Sequence, residues 1–181
     1  MFSYCRTELP MSTRIIALVG VSGSGKTALI HEAVLRDSTL QKVRSFTTRA
    51  RRNPTSDATY DFVSISGLLL LWIRRRIVQW NFFDWNIYGN ERRHFEVIGY
   101  DHIGILAMTE RGAQKLRKAG YDVRIVKLTP RSATVRKGRE AADRKRLNGL
   151  VADHEIINDF GSGGFSRAIA DLVEWTRTAF T

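Results

Sequence analysis

Positions 20–27 read GVSGSGKT, three glycines and one lysine set between the apolar run IIALV and the segment ALIHEAVL. The stretch fits G-x-x-x-x-G-K-[ST], and its flanks read as a buried strand and a helix, the setting that such a loop requires. Glycines let the backbone curl until its N–H groups face one anion at the helix start, where the helix dipole adds to the attraction. Gly20, Ser22, Gly23, Ser24 and Gly25 are therefore the candidate cradle for a nucleoside triphosphate. Lys26 is placed to reach the β- and γ-phosphates, and the Thr27 hydroxyl to ligate Mg²⁺. The alternative is a glycine-rich strand-to-helix turn with no ligand. The loop does not say what receives the phosphoryl group.

A second constellation bears on that question. SFTTRARR, at positions 45–52, sets Ser45, Arg49 and Arg52 just after the strand-like KVR. One hydroxyl and two permanently charged, bidentate guanidiniums projecting from one loop suit a second phosphate group.

Both loops need elements to hold them. RIIALVG is a short apolar run closed by glycine, as expected of a parallel strand buried on both faces. From Lys26, Leu29, Ile30, Ala33 and Val34 recur at helical spacing until DSTLQK breaks the pattern. Residues 49–59 are polar with one proline and read as an exposed loop, and YDFVSI alternates as a strand. SGLLLLWIRRRIV is predicted to begin a helix at Ser66 with its leucines turned to the core, and Trp72 and Trp80 are assigned to packing. HIGILAM and DVRIVKL read as strands around the amphipathic helix ERGAQKLRKAG with its glycine stop. Residues 132–153 read as a very basic helical stretch, HEIIND as a short strand and FSRAIADLVEWTRTAF as a closing amphipathic helix. Strand and helix alternate, which predicts one α/β domain over 1–181 with a five-stranded parallel core.

The formal charge of +11 favours polyanionic partners, nucleotides or nucleic acid, yet the basic residues are spread through the chain rather than gathered in a tail. The longest apolar stretch, GLLLLWI, is far below the ~20 residues of a membrane helix and runs straight into three arginines. The first ten residues lack the pattern of a signal peptide, residues 1–12 read as a leader, and the lone Cys5 has no disulfide partner. A cytoplasmic protein with no membrane partner is expected. The four histidines have no ligand spacing and are given no role.

The order of the motifs resembles the guanylate kinase family. There a P-loop is followed by S-x-T-T-R-x-P-R, a Y-x-F-V strand, E-W and Y-Y-G; here SFTTRARR, YDFV, QW and IYG stand in the same order, and the resemblance covers about residues 14–177. It implies a three-layer P-loop NTPase fold with an acceptor-binding region at 45–95 and a lid at 132–147. It implies ATP and Mg²⁺ as cofactors and phosphoryl transfer to a nucleoside monophosphate held by Ser45, Arg49, Arg52, Tyr60 and Tyr88. In the lid segment RKGREAADRKRL, Arg136, Arg139 and Arg146 would close on the triphosphate, and Asn158 of IIND would lie beside the adenine of ATP. Nucleic acid is not the expected partner, and a monomer or a homodimer is.

The sequence departs from the family where the family reads guanine. The two carboxylates used there are Gln79 and Thr109 in this chain, and Ala107 replaces a further aspartate. A carboxamide both donates and accepts. Gln79 can offer N–H to an unprotonated ring nitrogen, which suits adenine or 2-aminoadenine; alternatively its oxygen still accepts from guanine. Arg51 stands where the family prefers proline, and the acidic residue found a few positions later reads as missing from NPTSDAT, changes that point to a more anionic acceptor. Trp85 stands where the family commonly has glycine and would either line the base pocket or serve packing alone. The acceptor expected is a (deoxy)nucleoside monophosphate, a purine, with altered or relaxed base specificity. The alternatives are a ribose 1,5-bisphosphate phosphokinase-like enzyme and a non-catalytic guanylate-kinase-like interaction module, against which the intact P-loop speaks.

Overall fold

In the computed structural model, which describes residues 13–52, 57–131, 147, 149–159 and 163–181, β1 (Arg14–Gly20) is buried along its five central residues. Even and odd positions of a strand face opposite ways. Ile16 and Leu18 pack with Leu29, Ile30 and Ala33 of α1 (Lys26–Arg36) and Ile169 and Leu172 of α5 (Gly164–Thr176). Ile15, Ala17 and Val19 pack on the other side with Ala113 and Leu116 of α4 (Glu110–Lys118) and with Phe95 and Tyr121. Helices thus cover both faces of one sheet, and all its strands are parallel. Their order is β2 (Leu40–Lys42), β7 (Ile103–Ala107), β1, β8 (Asp122–Pro130) and β9 (His154–Asn158). The five-stranded parallel core expected from the sequence is present.

Between β2 and β7 the chain builds a second sheet of four strands. Its order is β4 (Tyr60–Phe62), β3 (Ser45–Thr47), β6 (Asn86–Glu91) and β5 (Ile77–Phe83). β3 pairs parallel with β4 and antiparallel with β6, and β5 and β6 form a hairpin whose register shifts between Ile77 and Gln79. A bulge of this kind re-aims the side chains that follow it. It sets Gln79 opposite Asn90 and Asn81 opposite Tyr88.

α2 (Ile65–Ile73) begins one residue before the expected Ser66, capped by Ser64, whose Oγ accepts from the Gly67 N–H at 3.0 Å. Its leucines are not turned to the core. Leu68 is its one buried residue, while Leu69 is 59% and Leu70 45% exposed. Trp72 (55%) and Trp80 (36%) pair with ring centroids 5.7 Å apart on the surface rather than in the interior. The physical reason is size: β3 and β4 are three residues long, so the small sheet has too little area to cover a helix that is apolar all round. α3 (Arg93–Glu96) is a single turn that sends Phe95 into the main core.

Two further expectations are corrected. The 49–59 segment is not wholly exposed, because Arg49 and Asp57 are buried against each other. Trp85 does not line a pocket: it is 89% exposed at the β5–β6 turn, in the left-handed conformation (φ 61) that explains why glycine would suit this position. The leader at 1–12 and the lid at 132–147 with Arg136, Arg139 and Arg146 lie outside the described residues, Leu147 excepted.

Candidate functional site

The phosphate loop leaves the carboxyl end of β1 and ends at Gly25, the left-handed residue (φ 90) that opens α1. Gly20 has a second reason to be bare. A methyl group there would stand 2.5 Å from the Leu128 carbonyl oxygen of β8. Lys26 Nζ donates to the carbonyls of Gly20 (2.9 Å) and Val21 (2.7 Å) and to Ser24 Oγ (3.3 Å), so its ammonium lies across the mouth of the loop. Ser22, Gly23 and Thr27 are exposed, and Ser24 is fully buried. Asn158, at the end of β9, is also buried and donates from Nδ2 to the Ser24 carbonyl at 2.9 Å, which ties the loop to the sheet edge. Its Oδ1 has no hydrogen-bond donor among the described residues.

No three His, Cys, Asp or Glu side chains among the described residues group as a metal site. A P-loop magnesium takes most of its ligands from phosphate oxygens and water, with one protein hydroxyl. The exposed Thr27 at the start of α1 is suited to that part.

The second cluster lies on one face of the small sheet. Cross-strand register aligns Ser45 with Tyr60, Thr47 with Phe62 and Tyr88, Asn81 with Tyr88, and Gln79 with Asn90. Tyr60 and Tyr88 meet edge to face at 6.0 Å. Burial, with Tyr88 close by, raises the Tyr60 phenol above its ordinary pKa, so it is a hydrogen-bond donor at neutral pH.

Arg49 packs over the rings of Tyr60 (5.2 Å) and Phe62 (5.4 Å). Its Nη2 donates to Asp57 Oδ1 and its Nη1 to the Ala50 carbonyl, while Asp57 Oδ2 accepts from the Arg52 backbone N–H at 2.7 Å. The expectation that NPTSDAT lacks an acidic residue is corrected: Asp57 stands within it and holds Arg49 in place. The Arg52 side chain is exposed and lies 3.9 Å from Asp84.

Thr109 caps α4 at the end of β7, its Oγ1 accepting from the Gly112 N–H at 3.1 Å. A methyl group on Gly112 would lie 3.2 Å from Gln79 Oε1, 3.4 Å from Asn81 Nδ2 and 3.4 Å from Thr109 Oγ1, so three polar groups surround one point. The fold thus brings Gln79 and Thr109 together, although 30 positions separate them. It also brings in Asn81, Asn90 and Asp57, which sequence reasoning passed over. For Asn81 the signal was present: it stands two positions after Gln79 in a strand and so shares its face.

The phosphate loop and the Thr109–Gly112 turn, which Gln79 and Asn81 approach, both lie at the carboxyl ends of parallel strands. The Met108 N–H, just before Thr109, donates to the Leu18 carbonyl of β1, and Gly20 ends that strand. This edge is where open α/β sheets carry their ligands.

The sequence matches no protein-family model and no curated protein sequence. Solved structures do match. The crystal structure of guanylate kinase from Anaplasma phagocytophilum has a TM-score of 0.74 at 19% identity, over 93% of this chain and 86% of that one. The fold is that of a guanylate kinase. The crystal structure of a sugar kinase from Janibacter sp. HTCC2649 matches at a TM-score of 0.45 and 17% identity, over 91% of this chain and 95% of that one, too low for an argument. Within the guanylate kinase fold, the four-stranded sheet occupies the 45–95 segment. No helix among the described residues is long and apolar enough to cross a membrane.

Proposed function

We propose that the protein is a nucleoside monophosphate kinase that transfers the γ-phosphate of ATP to a (deoxy)nucleoside monophosphate, a purine, with altered or relaxed base specificity. One observation supports this reading: the lysine-bearing phosphate loop follows β1, the Thr109–Gly112 turn that Gln79 and Asn81 approach follows the adjacent strand β7, and both stand at the carboxyl ends of the parallel core. One anion site would suit a binding protein or a hydrolase; a second polar site on the neighbouring strand end suits a transferase.

In this reading the loop N–H groups and Lys26 hold the triphosphate, and Thr27 holds magnesium, which when bound neutralises charge between the β- and γ-phosphates. Arg49 and Arg52, with Ser45, Tyr60 and Tyr88, hold the acceptor phosphate in line. Asp57 keeps the Arg49 guanidinium oriented, so little reorganisation accompanies acceptor binding. Arg136, Arg139 and Arg146 would complete the charge shell and exclude water.

The test is ADP release from Mg-ATP with GMP, dGMP, AMP, dAMP, 2-amino-dAMP, the pyrimidine monophosphates and ribose 1,5-bisphosphate as acceptors. Turnover with a nucleotide sustains the reading. Turnover with the sugar bisphosphate alone replaces it, and ATP binding without turnover on any acceptor reassigns the chain as an interaction module.

A further inference from the structure

We propose that Asn90 sets the hydrogen-bond polarity of the acceptor pocket, so that the pocket takes bases presenting a ring N–H over bases presenting a bare ring nitrogen. The inference rests on the nucleotide kinase reading and says which acceptors that site selects.

Its basis is a chain of three carboxamides anchored to one backbone carbonyl. Asn90 is fully buried, and its Nδ2 donates to the Arg44 carbonyl oxygen at 2.7 Å and to Ser45 Oγ at 2.9 Å. A carbonyl oxygen can only accept, so this end of the Asn90 amide must be nitrogen. Its Oδ1 then faces Gln79 and can only accept, which obliges Gln79 to present Nε2, at 2.5 Å. The carboxamide is planar, so pointing Nε2 at Asn90 points Oε1 the other way. Gln79 Oε1 accepts from Asn81 Nδ2 at 3.1 Å, and it is the atom that lies 3.2 Å from the methyl position of Gly112.

The reverse orientation of Gln79 would set its oxygen against Asn90 Oδ1. With Gln79 only 4% exposed, water could not relieve two opposed acceptors. Gln79 Oε1 keeps a second lone pair, while Asn81 keeps its Oδ1 as an acceptor and, because its amide carries two N–H, one further donor. The atom whose polarity the Arg44 carbonyl fixes is therefore Gln79 Oε1, an acceptor that is not a carboxylate. This reverses the expectation that Gln79 offers N–H to a bare ring nitrogen. The ring N–H of guanine or hypoxanthine matches Gln79 Oε1, and a relaxed site would extend that match to uracil or thymine, whereas adenine and cytosine would set an unprotonated ring nitrogen against that oxygen.

Asn90 is fully buried and acts through Gln79, so in this proposal it is a positioning residue. The experiment measures kcat and KM with Mg-ATP for GMP, IMP and UMP against AMP and CMP, and for N1-methyl-GMP against GMP, which removes the ring N–H without changing the protein. The N–H-bearing acceptors are expected to lead by roughly 10- to 100-fold in kcat/KM, and N1-methylation to cost a similar factor. In Asn90→Ala, Gln79 is free to turn, and the lead of N–H-bearing acceptors over AMP and CMP should shrink towards parity, with ATP KM retained. Asn90→Ser keeps one donor for the Arg44 carbonyl and one acceptor for Gln79, and should restore the lead.

A preference for AMP or CMP, or N1-methyl-GMP as good as GMP, overturns the proposal and leaves the kinase reading standing. So does an unchanged ratio in a folded Asn90→Ala. If that variant does not fold, the methylated acceptor still decides. Absence of turnover with every monophosphate removes both readings together.

Discussion

β1 and β5 are both seven-residue strands, and they are held by opposite means. In β1 the five buried positions are aliphatic, and two layers of helix close over them. In β5 one position is buried, and it is Gln79, fixed by amides from neighbouring positions while Trp80, Phe82 and Phe83 stay exposed. A strand buried on both faces is specified by hydrophobic transfer, which has no direction. A strand that lines a pocket is specified by hydrogen bonds, which do, and each link constrains the next. The phosphate side therefore tolerates volume-conserving exchange, whereas the acceptor side is sensitive to single atoms.

The comparison can be broken most severely at the phosphate loop. On the kinase reading, Lys26→Met should lower phosphoryl transfer by about 10³-fold while the fold persists, because the proposed role of the ammonium is on developing charge that the core does not need. Single-turnover assays beside circular dichroism read both quantities; a small loss of rate would mean that Lys26 serves the loop through its bonds to Gly20 and Val21 rather than the phosphate.

On the acceptor side, Asp57→Ala leaves Arg49 as a buried unpaired cation, since the two side chains are only 2% and 8% exposed. Breaking a buried pair in this way costs about 3–5 kcal/mol, to be read from urea unfolding. A loss under 1 kcal/mol would show that Arg49 finds solvent when released.

Leucines sharpen the contrast between the two sheets. Leu29→Ala in α1, at full burial, should cost about 2–5 kcal/mol, and Leu69→Ala in α2 within about 0.5 kcal/mol. Equal losses would mean that α2 is covered in solution. The smallest effect is expected at His94, buried between Asp61 (3.0 Å) and the Glu91 backbone N–H (3.2 Å), with Arg93 beside it. Burial, outweighing the attraction of Asp61 and Glu91, lowers its pKa below the ordinary 6.5. The unfolded chain therefore binds the proton more readily than the folded one, so stability falls as pH drops below about 6.5. At Asp61, burial raises the carboxyl, but hydrogen bonds from Arg44 and His94 outweigh that and lower it; this adds a second decline at more acid pH. Thermal melts against pH should show the first decline flattened in His94→Gln.

GVSGSGKT, the aliphatic run of β1 and the spacing of α1 are legible in the chain because local requirements dictate them: bare backbone for an anion, transfer energy for a strand with two covered faces, a 3.6-residue period for a helix between layers. The membership of Ser45, Tyr60 and Tyr88 in one face is legible once the strands are recognised, since a period of two decides it. Which way Gln79 points is not in the chain. It depends on a carbonyl at Arg44, 35 positions away, reached through Asn90, and on a bulge that puts the two amides opposite each other. The exposure of α2 is likewise a tertiary outcome, because LLLLWI has the composition of a core helix and only the small area of the neighbouring sheet leaves it open. Composition and period determine what a segment can bury; the partners that arrive from elsewhere decide what it does bury and which atom of an amide faces the pocket.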